Sequence, residues 1–237
     1  MSEVDTEPTQ TPVKRFQRLY ARNLELKTLF IGFGLILLAW CFALVAHLVF
    51  DGRTENFDQT LLLMLRTGEN GSDPIGPSWF EEMARDVTAL GGNTLLLGFA
   101  AIVMGYLLLK QRHALAALVV AATLGAVVVG SVLKLAFDRP RPDLVPHETR
   151  TYTASFPSAH ATLAASTYLT LAALLARIQK RRRIKIYLMS VAITLSVLVG
   201  MSRVYLGVHW PTDVFAGLAV GAAWAMLCWL IAKRLHW

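Results

Sequence analysis

Long apolar runs separated by short polar loops dominate the chain. They cover residues 29–50, 94–109, 114–134, 157–176, 186–201 and 211–232. A helix needs roughly 20 apolar residues to cross about 30 Å of hydrocarbon. The pattern therefore predicts an all-α integral membrane protein with six transmembrane helices. Residues 51–93 between the first two runs are polar, with a short amphipathic stretch at 57–65 and the pair Trp79-Phe80. This segment reads as a short surface helical element lying on the membrane. Residues 1–13 are polar and are expected to be disordered. Lys14, Arg15, Arg18, Arg22 and Lys27 then form a basic approach to the first span. The expected division is a basic arm at 1–27 and a six-helix membrane domain at 28–237.

Composition agrees with a bilayer setting. Hydrophobic residues make up 55% of the chain and charged ones only 16%, against roughly 25% charged in soluble domains. The net charge of +7 would suggest nucleic acid in a soluble protein. Here the basic residues gather at the ends of apolar spans, so no nucleic-acid partner is expected. The N-terminal arm, Lys110 and Arg112, the 177–185 cluster and Lys233-Arg234 all fall on one side if every run crosses. By the positive-inside rule that side is cytoplasmic, and both termini with it. The opposite face receives residues 51–93, which carry eight acidic residues against three arginines. It also receives five misplaced cations: Lys134, Arg139, Arg141, Arg150 and Arg203. Binding an anion would account for them. Cys41 and Cys228 lie at different depths, which argues against a disulfide.

Three polar segments on that face carry candidate chemistry. Lys134 sits at a helix end, with Arg139-Pro140-Arg141-Pro142 just beyond it. The prolines stiffen the segment, and arginine's planar fork suits phosphate oxygens. Pro157-Ser158-Ala159-His160 opens the fourth run, where first-turn N–H groups lack internal partners and attract anions. Ser158 can cap this helix and also donate to an oxyanion. Ser202-Arg203 and His209-Trp210-Pro211-Thr212-Asp213 form the last loop. Pro211 suits a first helical turn. Asp213, four residues after His209, can accept from the imidazole and fix its tautomer. The other ring nitrogen is then a candidate nucleophile or base. Each segment alone also reads as interfacial anchoring by snorkelling side chains. No glycine-rich phosphate loop, zinc spacing or carboxylate cluster is visible, so no cofactor or metal is expected.

Together, Lys134-x6-Arg141-Pro142, Pro157-Ser158-Ala159-His160 and Ser202-Arg203-x5-His209-x3-Asp213 resemble the type-2 phosphatidic acid phosphatase family. That family includes lipid phosphate phosphatases and is related to vanadium haloperoxidases and glucose-6-phosphatase. Ala159 departs from it, since the family usually has glycine there. The resemblance implies that His209 attacks phosphorus, that Asp213 orients it, and that His160 protonates the leaving oxygen and then activates water. Lys134, Arg141, Ser158, the Ala159 backbone N–H and Arg203 would hold the phosphate oxygens, with Arg139 outside that set. The implied substrate is a membrane lipid phosphate or diphosphate: undecaprenyl pyrophosphate, phosphatidylglycerol phosphate, phosphatidic acid or a lipid A phosphate. The implied place is the inner membrane, with the site facing the periplasm or exterior. Two other readings carry the same charges: a membrane transporter or channel for an anionic substrate, and a haloperoxidase-like activity. The sequence implies no oligomeric state.

Overall fold

A computed structural model of the chain describes residues 12–67, 73–143 and 154–235. The side chains of 12–25 and Lys27, together with the polar start of the chain and Arg150, lie outside what is described. Eight helices follow one another among the described residues: α1 (Pro12–Phe50), α2 (Glu55–Leu63), α3 (Ser78–Ala89), α4 (Asn93–Leu109), α5 (His113–Phe137), α6 (Ala159–Ile178), α7 (Arg182–Tyr205) and α8 (Pro211–Arg234). Five are long and apolar enough to cross a membrane: α1 from Thr28, α5, α6, α7 and α8. A bent pair, α3 and α4, which meet at 45°, makes a sixth candidate when the two are taken as one span. At 17 residues, α4 is near the lower limit for a span.

The expected single surface element is two helices, α2 and α3. A two-residue antiparallel ladder joins them, pairing Arg66 with Pro74 and Thr67 with Asp73. This segment folds over one end of the bundle and does not lie free on a surface. Tyr205, at the end of α7, packs its ring edge-on to Phe80 at 5.1 Å and donates its hydroxyl to the Ile75 carbonyl at 2.8 Å. The Arg66 guanidinium donates to the Tyr205 carbonyl at 2.8 Å.

The centre of the bundle is α6, packed against α5, α7 and α8. Small residues let its backbone approach α8 closely, as membrane helices with little hydrophobic drive between them require. Gly217 and Gly221, one turn apart on α8, lie against the carbonyls of Ser158 and Thr162. A Cβ at Gly217 would stand 2.6 Å from the Ser158 oxygen, and one at Gly221 would collide with the Thr162 oxygen. Both obstacles are backbone and cannot swing aside. An aromatic cluster of Phe42, Phe137 and Phe156 closes the bundle beneath the last loop, with ring centroids 4.9–6.2 Å apart. Cys41 and Cys228 are both free thiols.

Candidate active site

Four chain segments meet where α5 ends, α6 begins, α7 ends and α8 begins. The end of α5 is set by Asp138, which takes a left-handed conformation (φ 39°) and donates its N–H to the Lys134 carbonyl. That cap turns the chain so that Arg139 and Arg141 run back over the bundle. The end of α7 is closed by Gly207, whose φ of 72° favours a residue without Cβ. Val208 then donates to the Arg203 carbonyl, and His209 is brought over the bundle end. Pro211 opens α8 as its first residue. The Phe156–Pro157 peptide is cis, and α6 begins at Ala159, two residues after the expected start.

His209 is buried, and its two ring nitrogens face different surroundings. Nδ1 lies 3.2 Å from Ser155 Oγ and 3.4 Å from Asp213 Oδ2. Ser155 also donates its hydroxyl to Asp213 Oδ2. A proton on Nδ1 satisfies this arrangement, because Ser155 then accepts from the imidazole and passes its own hydrogen to the carboxylate. That tautomer leaves a lone pair on Nε2, which lies 3.3 Å from the Arg141 guanidinium. Burial pushes the imidazole pKa down to about 4, against the opposing pull of Asp213, with Arg141 and Arg203 adding to the depression. At neutral pH His209 is therefore uncharged. Burial also lowers Arg141 from its ordinary value, with Asp213 acting the other way. Arg141 further donates to the Val208 carbonyl at 2.7 Å.

Asp213 is fully buried and held on every side. The Trp210 backbone N–H donates to its Oδ2 at 3.0 Å, and Arg139 donates to its Oδ1 at 2.7 Å. Arg139, expected outside the phosphate-holding set, has carboxylate partners on two sides. Its guanidinium bridges Asp213 to Asp58 of α2, at 2.8 Å, and touches Thr212 Oγ1 at 2.9 Å. Asp58 in turn accepts from the Thr212 N–H at 2.9 Å and from its hydroxyl at 2.6 Å. The Trp210 ring lies 5.6 Å from the guanidinium carbon of Arg139 and donates its Nε1–H to the Pro140 carbonyl.

The remaining cations converge on the same end. Lys134 donates to the Ala154 carbonyl at 2.6 Å, and Arg203 donates to Thr88 Oγ1 at 3.2 Å. His160, in the first turn of α6, lies within Coulombic reach of Arg203, His209, Lys134 and Arg141. Ser158 precedes α6 as its N-cap, yet its hydroxyl makes no capping bond, contrary to expectation. Its backbone N–H instead joins α6 to α8 by donating to the Asp213 carbonyl at 3.0 Å. Ser158 Oγ and Arg203 Nε are both buried without a hydrogen-bond partner among the described residues.

All eight residues singled out in the sequence, Lys134, Arg141, Ser158, Ala159, His160, Arg203, His209 and Asp213, thus lie at one end of the bundle. Ser155, Arg139, Thr212 and Asp58 join them without having been singled out for it. Among the described residues no group of three or more His, Cys, Asp or Glu side chains is placed to hold a metal.

The membrane bundle thus gathers a buried imidazole, a carboxylate beside it and three cations at one end. Residues 114–237 match the PAP2 superfamily. Phosphatidylglycerophosphatase B of Bacillus subtilis is 35% identical over 154 residues, covering 62% of this chain and 72% of that protein. Lipid A 1-phosphatase of Rhizobium etli is 27% identical over 188 residues, covering 68% and 77%. The crystal structure of a transmembrane PAP2-type phosphatidylglycerolphosphate phosphatase from Bacillus subtilis superposes with a TM-score of 0.77 at 25% identity. It covers 86% of this chain and 98% of that one. That of Aquifex aeolicus LpxE gives 0.52 at 22% identity, over 75% and 95%, a likeness of fold. The chain belongs to the PAP2 superfamily, and it is a membrane phosphatase of the lipid phosphatase class.

Proposed function

We propose that this phosphatase hydrolyses a lipid phosphate or diphosphate through a phosphohistidine on His209, without a metal, at the extracytoplasmic end of the bundle. The observation that carries the reading is the pair of buried donors, Ser158 Oγ and Arg203 Nε, that lack partners among the described residues. Buried polar groups are nearly always hydrogen-bonded, and oxygens of a bound phosphate would supply both bonds.

In the first half-reaction His209 Nε2 attacks phosphorus. An N–P bond forms as the bond to the leaving oxygen breaks, and His160 gives that oxygen a proton. In the second, His160 takes a proton from water, whose oxygen bonds to phosphorus as the N–P bond breaks and His209 is restored. Lys134, Arg141, Arg203, Ser158 and the Ala159 N–H hold the equatorial oxygens, where charge builds in the transition state. Those cations take the place a divalent ion has in other phosphoryl-transfer sites.

A site at the bundle end lets an acyl or prenyl tail stay in the bilayer while its phosphate reaches the cations. The relatives' names favour phosphatidylglycerophosphate or a lipid A phosphate, with phosphatidic acid and undecaprenyl pyrophosphate as further candidates. A cavity of about 410 Å³ beside the site is lined by Glu55, Asp58, Asp138, Arg139 and Trp210 among others, and a headgroup passing there would meet part of the 51–93 segment. Orientation rests on the basic clusters at the other end. Cysteines at Asp143 and Arg181, in a chain lacking Cys41 and Cys228, should label from outside and inside respectively.

The decisive experiment offers purified protein that lipid panel with EDTA present. Phosphate release from at least one lipid is expected, lost in His209→Ala, with acid-labile phosphate trapped on His209 after a brief quench. Turnover that needs a divalent cation, or that survives in His209→Ala, overturns the proposal.

A further inference from the structure

The end of the bundle opposite His209 holds a second cavity, of about 820 Å³, between α1, α5, α6, α7 and α8. Its walls are apolar, with Leu118, Leu174, Met226 and Trp229 among them. Its rim is not. Arg177 at the end of α6, Lys185 at the start of α7 and Lys233 at the end of α8 all line it. Lys233 is fixed in place, with its ammonium bonded to Thr28 Oγ1 of α1 and 5.7 Å from the Trp229 ring centre. On the cavity wall Thr170 is only 6% exposed, and its hydroxyl meets no partner among the described residues. Arg177 lies 17 residues along α6 from His160, roughly 25 Å at 1.5 Å per residue. This place is therefore separate from the phosphate site.

We propose that this cavity binds one anionic phospholipid of the opposite leaflet, its chains between α1, α7 and α8 and its phosphate on Arg177 and Lys185. Charge complementarity and shape together point to this occupant. Volumes of about 300–1,000 Å³ are typical of small-molecule sites, and basic pockets between membrane helices on one face bind acidic headgroups. Cations at one rim and carbon elsewhere match a molecule with a single charged end. Among the described residues no acidic side chain lines the cavity to oppose it. The lipid bound here is a companion of the fold, distinct from any phosphate ester cleaved at the other end, and the inference stands independently of the proposed chemistry.

The test uses delipidated full-length protein in detergent and native mass spectrometry. The probes are phosphatidylglycerol and phosphatidylcholine of identical chains. Phosphatidylglycerol is a diester with no terminal phosphate for the other site to remove. One phosphatidylglycerol retained per chain, at least tenfold more tightly than phosphatidylcholine, is expected. Arg177→Gln with Lys185→Gln should lower that retention about thirtyfold, from the loss of two charges near the membrane surface. Ala173→Phe, which puts a ring into the cavity and leaves every charge in place, should lower it as strongly. Equal retention of the two lipids overturns the proposal. So does unchanged retention in the variants that elute as folded protein, and Ala173→Phe decides alone if the double variant does not fold.

Discussion

Asp58→Asn tests whether α2 supports the catalytic loop from a distance. Asp58 makes three hydrogen bonds to the far half of the chain: one to the Thr212 N–H, one to the Thr212 hydroxyl and one to Arg139. Asparagine has nearly the same shape and keeps an oxygen for the Thr212 N–H. It loses the acceptor for Thr212 Oγ1 and for the guanidinium. Breaking one side of a buried ion pair costs about 3–5 kcal/mol when the other charge is stranded. Arg139 is not stranded, because Asp213 still accepts from it at 2.7 Å. The loss should therefore be nearer that of one charged hydrogen bond, about 1.5–3 kcal/mol. Unfolding monitored in detergent should show a midpoint lowered by several degrees. Kinetics on the preferred lipid should show kcat lowered by up to about tenfold, equal to about 1.4 kcal/mol of barrier, as Asp213 and His209 loosen. KM should hold, since no group that would touch phosphate is altered. A wild-type melting midpoint would mean that the bridge is not made. A large rise in KM with unchanged stability would mean that Asp58 meets substrate itself, and either result refutes the argument.

Four other substitutions probe the same end of the bundle. Ser155→Ala leaves His209 Nδ1 only the 3.4 Å contact with Asp213, so kcat should fall about tenfold with KM unchanged, and wild-type kcat would remove Ser155 from the relay. Ala159→Pro is compatible with a first helical turn but deletes the N–H proposed to hold the anion; turnover should drop by about 10²–10³ in a protein that still folds. Because burial holds His209 at about 4 against an ordinary 6.5, the unfolded chain binds the extra proton between those values. The native state therefore loses stability as pH falls through that window. Denaturation at pH 7 and pH 5 should show a smaller loss for His209→Gln than for wild type, and equal losses would contradict the burial. Gly221→Ala drives a methyl against the Thr162 carbonyl and should cost about 1–3 kcal/mol, seen as a lowered melting midpoint.

The spans and the three ordered motifs were legible because each rests on local spacing: apolar runs of helical length, and polar residues a fixed number apart. What escaped depends on contacts between distant segments. Asp58 lies 154 residues from Thr212, and one aspartate in an amphipathic stretch looks like solvent-facing charge. Arg139 sits between Asp138 and Pro140, where snorkelling to headgroups is the ordinary reading; only the fold brings two carboxylates to it. Ser155 is a lone serine in a polar loop and carries no signal at all. Ser158 reads as a cap because serine caps helices, yet its hydroxyl makes no capping bond. Gly217 and Gly221 were visible as a small-residue pair at a spacing of four, the one missed feature with a sequence signal. The bent α3–α4 pair hid because α4 is short, and its partner carries Glu81, Glu82, Arg85 and Asp86, which made residues 78–89 read as surface.

The glycine contacts between α6 and α8 bear on how the enzyme behaves in membranes of different thickness. A bilayer that thins or thickens makes helices tilt, at a cost of a fraction of a kcal/mol per Å of mismatch. His160 rides on the first turn of α6, and His209 lies two residues before α8. Backbone lies against backbone at Gly217 and Gly221, and the Ser158 N–H is tied to the Asp213 carbonyl. The two helices must then tilt as one body, because neither can slide without driving a carbonyl into a glycine. The spacing between the two histidines is in this way insulated from lipid composition.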